Sequence, residues 1–306
     1  MSNKTTETSK AGFKQEIGLF GGVSMLGSIM IGGGIFYLGS YVLQRTDFSM
    51  GLSLLCWVIG GIITMLGGLC FAEMGAMLPK AGGMTVYLNT AFHPLVGFLN
   101  GFNSWLLSGA GSLAAGALAF SAIFGLTGTT GKLVASALMI VFTAYNMLGI
   151  KAGSMFQNFT MVAKLIPIAI IMISAFLMGD VSPDLAILPE GTSFDFSSFI
   201  RMTAFATLAT LWAYEGWINL NTVSEEMKNP KRNLPLSLII AISGITLLYV
   251  LFNYAIYRVI PADEVRSLID SENFYLGTEV AKRLLGGFGG VIVIIGMTIS
   301  QLGSTN

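Results

Sequence analysis

Two ionisable side chains stand inside long apolar stretches, where a charge has to be solvated by something other than water. Glu215 lies within Trp212–Ala213–Tyr214–Glu215–Gly216–Trp217, and Lys164 within Asn158–Phe159–Thr160–Met161–Val162–Ala163–Lys164–Leu165. Burying either costs several kcal/mol unless a partner or water receives it. Each has two readings. Glu215 either pairs with a base on another helix or marks a functional break; Lys164 either snorkels its ammonium to the interface or holds a neighbouring backbone from within. A third chemical feature carries no side chain. Ile31–Gly32–Gly33–Gly34–Ile35 sets three successive glycines in one apolar run, and each costs a helix interior roughly 1 kcal/mol relative to alanine. Glycines that only let helices pack closely are expected at spacings of four. Stacked ones favour unwinding, and an unwound turn exposes peptide groups that can bind a ligand.

Metal and nucleophile chemistry has no comparable support. His93 is the sole histidine and precedes Pro94, with no His–Glu motif around it. Cys56 and Cys70 share one apolar run, and on a single helix they would stand ~21 Å apart along the axis, too far for a disulfide or a shared zinc. An intramembrane enzyme is therefore a remote alternative, and neither cofactor nor metal is expected.

The elements that position these residues follow from composition. Hydrophobic residues make up 54% of the 306 and charged residues 10%, with a mean hydropathy of +0.74. A soluble domain carries about a quarter charged residues. Backbone at membrane depth must satisfy its own hydrogen bonds, as helices or closed barrels, and barrel strands would alternate over ~10 residues. The runs here are continuous, so the chain reads as an all-α polytopic membrane protein. At ~20 apolar residues per crossing, eight spans are expected, at about Ile17–Leu43, Gly51–Glu73, Leu95–Phe124, Leu133–Ile150, Phe156–Met178, Phe199–Asn221, Leu236–Val259 and Leu284–Leu302. Residues 1–16 read as a cytosolic N-terminal tail, 17–178 as a first five-helix repeat, 179–198 as an extracellular loop and 199–306 as part of a second repeat, helices six to eight.

Sixteen basic residues balance sixteen acidic ones, so no nucleic-acid partner is indicated. The tail lacks the apolar core of a signal peptide. With the N-terminus inside, the cytosolic segments hold eight basic residues against five acidic. The loop carrying Asp180, Asp184, Glu190 and Asp195 has no Lys or Arg. That asymmetry favours a cytoplasmic N-terminus, although Arg258, Arg266, Lys282 and Arg283 fall outside. The last apolar run reaches Asn306 without a basic flank, as if cut within or just after the eighth span.

The two suspected breaks fall in spans one and six. In transporters built from inverted repeats, discontinuous helices occupy corresponding positions of the two halves and bind substrate at mid-membrane. Amides at a half-helix N-terminus suit a carboxylate, and carbonyls at a C-terminus suit an ammonium. A zwitterionic amino acid uses both.

Three stretches carry a family resemblance over nearly the whole chain: Gly32-Gly33-Gly34-Ile35-Phe36, Phe71-Ala72-Glu73-Met74-Gly75-Ala76-Met77-Leu78-Pro79-Lys80-Ala81-Gly82-Gly83, and the run from Trp212 through Glu225-Glu226-Met227-Lys228-Asn229-Pro230 to Pro235. The chain resembles the L-amino-acid transporter group of the amino acid–polyamine–organocation superfamily, of prokaryotic type and truncated at its C-terminus. The resemblance implies a LeuT-like inverted-repeat fold of about twelve helices, with the second repeat incomplete here. It implies sodium-independent exchange of amino acids by alternating access, in the plasma membrane; a proton-coupled symporter titrating on Lys164 or Glu215 is the alternative. The substrate site would comprise Met30, Ile31, Gly32, Gly33 and Gly34 with Trp212, Ala213, Tyr214 and Glu215. In it, the Gly33 and Gly34 amides would meet the carboxylate, the Met30 and Trp212 carbonyls the amine, and the Trp212 ring would close over it as a gate. Lys164 would link moving helices to the scaffold, where related transporters bind sodium. Family members often have serine at the position of Gly33, and at the position of Glu215 many have a small residue while some that handle cationic or broad substrates have an acid. The segment between Phe124 and Leu133 lacks the cysteine that joins eukaryotic members to a heavy chain, so no such partner is expected.

Overall fold

A computed structural model describes residues 14–188, 195–271 and 273–305. Most of the N-terminal tail, part of the loop around Glu190, and Asn306 lie outside the described residues. The architecture is helical throughout: α1 Leu19–Met30, α2 Leu38–Arg45, α3 Met50–Met77, α4 Met84–Ala91, α5 Pro94–Asn103, α6 Ala110–Ile123, α7 Gly128–Asn146, α8 Ile150–Met178, α9 Phe196–Ala213, α10 Pro230–Tyr257, α11 Ala262–Asp270 and α12 Leu276–Thr305. Short 3₁₀ stretches, Gly33–Phe36 and Trp217–Glu226, follow α1 and α9, and a π-turn at Ser104–Gly109 joins α5 to α6.

Among the described residues, six helical stretches are long and apolar enough to cross a membrane: Met50–Met77, Pro94–Ile123, Gly128–Asn146, Met155–Met178, Pro230–Tyr257 and Leu276–Thr305. The other two spans expected from sequence are the interrupted ones, α1–α2 and α9 with its 3₁₀ continuation. The chain is an all-α, multi-pass membrane protein. Large apolar side chains stand exposed around its flanks, among them Leu133, Ile140, Val141, Phe159 and Ile173, a surface that lipid rather than water can solvate.

Local chemistry fixes the helix ends. Ser49 Oγ accepts from the Leu52 amide at the start of α3 and donates to Ala186 O at 2.8 Å, so one cap also pins the loop before α9. Asp195 accepts from the Ser197 and Ser198 amides and caps α9, which holds its carboxyl below the usual carboxylate range. His93 accepts from the Leu95 amide and Pro94 opens α5, so the sole histidine is a helix cap. No group of three or more His, Cys, Asp or Glu side chains suited to a metal occurs among the described residues.

Several boundaries move relative to the sequence reading. α3 runs on past Glu73 to Met77, and α8 begins at Ile150 rather than near Phe156. Between the last two spans, α11 and the first part of α12 form an ordered cap, and α12 bends at Gly286 (φ 59°, ψ −141°). That left-handed backbone suits glycine alone at low cost, and it turns the amphipathic segment Leu276–Leu285 away from the spanning part. α10 is the central strut, buried along Leu234, Leu238, Ile242, Ile245, Tyr249 and Phe252. It packs on α3 where Gly61 leaves room, since a Cβ there would lie 2.2 Å from Thr246 Oγ1.

Candidate functional site

α1 stops at Met30. Ile31 (φ −79°, ψ 83°) leaves helical geometry, Gly32 (φ −96°, ψ −175°) is extended, and only at Gly33 does the chain coil again. The last carbonyls of a helix have no partner within it, and here side chains from three other helices supply them. Lys164 of α8 donates to Ser28 O at 2.6 Å and to Ile31 O at 2.7 Å. Ser300 of α12 adds a second donor to Ile31 O at 2.9 Å. Tyr249 of α10 donates to Met30 O at 2.7 Å. A cation at a helix C-terminus also meets the negative end of its dipole.

Lys164 is 1% exposed, so its ammonium is held in the interior and does not snorkel. It lies about four turns from the start of α8, deeper than the roughly two turns that a span starting at Phe156 would give. Its depth follows from the earlier start of α8 at Ile150.

The second break is built differently. α9 ends at Ala213, Tyr214 turns out of helical geometry, and Gly216 adopts φ 111°. A Cβ on Gly216 would lie 2.4 Å from Ile29 Cγ2. Glycine therefore serves both the left-handed turn and the close approach to the last turn of α1, and it brings the two interruptions together. Tyr249 Oη lies 3.0 Å from Ala213 O as well as 2.7 Å from Met30 O. One hydroxyl proton faces the carbonyl ends of both broken helices, and a phenol has a single proton to donate. Trp57 and Tyr214 close the rear of this junction: their rings lie 5.1 Å and 5.3 Å from that of Tyr249, and Tyr214 donates to Trp57 O at 2.9 Å.

Gly33 and Gly34 open the 3₁₀ turn, where the first amides lack an intrahelical partner. They line a cavity of about 570 Å³ together with Ala119 and Ala122 of α6, Met297 and Gln301 of α12, and Thr278 and Lys282 of the cap. That volume suits a small ligand. A second cavity, of about 910 Å³, lies against the first turns of α1, with Ile17, Met25, Asn158, Val223, Glu226 and Lys228 on its walls. Along the first span, the interruption thus falls between the segments that line the two spaces.

Trp212 is 71% exposed and Glu215 is exposed as well, while Ala213 and Tyr214 are buried. Met30, Ala213 and Tyr214 come together around Tyr249, Ile31 O is held by Lys164 and Ser300, Gly33 and Gly34 face the smaller cavity, and neither Trp212 nor Glu215 lines that cavity. Sequence reasoning missed Tyr249 and Ser300. The legible signal was a phenol and a hydroxyl deep within apolar runs, because a polar group there has to find a partner.

On the N-terminal side, two stretches distant in sequence are laced together. Glu16 and Ile17 amides donate to Glu226 O at 3.0 Å each, and the Lys228 amide returns to Ile17 O at 2.8 Å. The Ala81 amide donates to Glu225 Oε2 at 2.9 Å, and the Gly82 amide to Thr222 O at 3.2 Å. Burial, with Glu225 and Glu16 nearby, pushes the Glu226 carboxyl above its usual range.

The profile of a family described as amino acid permease matches residues 17–306. The serine/threonine exchanger SteT of Bacillus subtilis (strain 168) is 31% identical over 303 residues, which cover 98% of this chain and 66% of that protein. The b(0,+)-type amino acid transporter 1 of Mus musculus is 34% identical over 279 residues, 86% of this chain and 55% of the relative. The cystine/glutamate transporter of Homo sapiens is 30% identical over 312 residues, 97% of this chain and 59% of the relative. This chain thus spans between 55% and 66% of the length of these relatives.

Proposed function

From the premise that this chain belongs to the amino acid permease family, we propose that it forms the substrate-holding part of a sodium-independent amino-acid exchanger of the plasma membrane. The N-terminus lies in the cytoplasm, the two interrupted helices belong to inverted repeats of a LeuT-like fold, and no disulfide-linked heavy chain is needed. The observation that carries this reading is the meeting of both interruptions at Tyr249, whose hydroxyl reaches Met30 O and Ala213 O.

The roles divide by backbone polarity. The Gly33 and Gly34 amides receive the substrate carboxylate. The carbonyls at the ends of α1 and α9, where one phenol proton is shared between two acceptors, receive the ammonium with its three donors. Trp212 and Glu215 form the mobile side of the second break, and Trp212 swings over the bound solute. Lys164 is the resident cation that ties α1 to α8, in the role a sodium ion plays elsewhere. Alternating access then exposes the two cavities in turn while the site between them stays fixed.

Counterflow with the full-length protein tests this. Proteoliposomes loaded with unlabelled amino acid are expected to take up labelled amino acid, and empty ones to remain inert. Full-rate uptake into empty vesicles under a proton gradient would replace exchange with symport. Failure to move any amino acid would remove the transporter reading altogether.

A further inference from the structure

Lys282 and Arg283 are adjacent basic residues with opposite fates. Arg283 is tied down: its guanidinium pairs with Glu264 through two contacts, one of them at 2.8 Å, and with Glu279 at 3.1 Å. Lys282 has neither an ion pair nor a side-chain hydrogen bond among the described residues, and it lines the cavity that Gly33 and Gly34 share. Among the described residues it is the sole ionisable side chain lining that cavity besides the Tyr37 and Tyr275 phenols, and no described carboxylate lines it. Its stem rests on Gly290, past the bend at Gly286.

The cap that carries Lys282 is fastened to the half-helix after the first break. Tyr41 stacks on Phe274 with centroids 4.7 Å apart, Tyr37 lies 5.6 Å from Tyr275, and Ser40 donates to Phe274 O. Lys282 thus stands exposed at the mouth opposite the N-terminus, on the wall of the same cavity as Gly33 and Gly34. Solvating it there costs little, so nothing in stability demands its lack of a partner.

On these grounds, and resting on the transport reading above, we infer that Lys282 selects substrates by charge at the outer mouth. It favours anionic and neutral side chains and disfavours cationic ones. Were the cavity a sphere, 570 Å³ would be about 10 Å across, and one unit charge acting over that distance near a surface, screened over about one Debye length at 0.1 M salt, changes occupancy on the order of threefold. An anionic and a cationic competitor respond in opposite directions, so their ratio changes about tenfold. Salt weakens the effect, since about 10 Å is the Debye length at 0.1 M.

The test uses the full-length protein in phosphatidylcholine vesicles loaded with serine. Labelled serine enters by counterflow while external glutamate or lysine competes. Lys282→Gln is expected to move the ratio of half-inhibiting concentrations about tenfold toward lysine, with Lys282→Glu moving it further and Lys282→Arg leaving it in place. An unchanged ratio in both Lys282→Gln and Lys282→Glu, with serine counterflow intact, overturns the inference. So does a shift that emerges only when anionic lipid is added, which would make a headgroup phosphate the partner of Lys282. Acylation of Lys282 by an amine-reactive ester gives a readout independent of transport: external glutarate, an anion with no amine to consume the ester, should slow it and tetramethylammonium should not, and equal rates overturn the inference. If wild-type protein moves no amino acid, the transport reading fails on its own account and the acylation result still decides the charge selection.

Discussion

The two interruptions touch one another, yet they are secured by opposite means. The first lies in glycine, and its carbonyl ends are held by Lys164, Ser300 and Tyr249 from three different helices. The second lies among aromatics, is held by Tyr249 on Ala213 O and by Tyr214 on Trp57 O, and leaves Trp212 exposed. The polar groups of an unwound segment must be satisfied at membrane depth. A break whose carbonyl ends are clamped from three helices moves with them, whereas one whose carbonyl end takes a single, shared side-chain donor has more freedom to rearrange. In these terms the first break reads as the anchored half of the site and the second as its adjustable half.

The most severe way to disturb this contrast is to unclamp the first break. Lys164→Ala leaves the Ser28 carbonyl without its side-chain donor and withdraws the charged one from Ile31. Each unsatisfied buried polar group costs about 1–3 kcal/mol, so counterflow by the full-length variant is expected to fall about a hundredfold or more while the protein still inserts. Near-normal exchange by a correctly inserted variant would deny the anchored half its anchor.

Tyr249→Phe strikes the one contact common to both breaks. It should lower exchange about tenfold, the worth of one buried hydrogen bond. Ser300→Ala should cost about threefold, because Lys164 still serves Ile31 O. Finding Ser300→Ala the more damaging of the two would invert the ranking and shift the clamp to α12.

The smallest effect belongs to the lacing on the N-terminal side. The Glu226 carboxyl is raised by burial and by its acidic neighbours, so the folded state binds its proton more tightly than the unfolded chain does. Stability is then lost as pH rises through and above the ordinary carboxylate range. Glu226→Gln is expected to raise the melting temperature slightly at neutral pH, by a few tenths of a kcal/mol given the partial exposure, with the gain vanishing under acid conditions. A gain that persists at pH 3 would assign it to packing rather than charge.

Much of the molecule was legible before folding, and what was missed follows a rule. Composition alone required a bilayer, since one charged residue in ten cannot face water throughout. Stacked glycines at 32–34 and an acid beside Gly216 marked where helices would fail, because backbone propensity and the cost of burying charge are local properties. The bend at Gly286 and the cap before it passed unnoticed: a glycine pair in an apolar run looks the same whether it packs or turns.

Which side chains would satisfy the freed carbonyls was a matter for tertiary structure. Lys164, Tyr249 and Ser300 stand 133, 219 and 269 residues from the carbonyls they reach, and no spacing along the chain encodes such a meeting. The same holds for Lys282 and Arg283, neighbours in sequence of which one is neutralised and the other left facing a cavity. Residue types and local backbone cost determined that this chain would enter a membrane and break twice within it. Three-dimensional packing decided what each break would hold, because a hydrogen bond or an ion pair depends on where a partner comes to rest and not on its place in the chain.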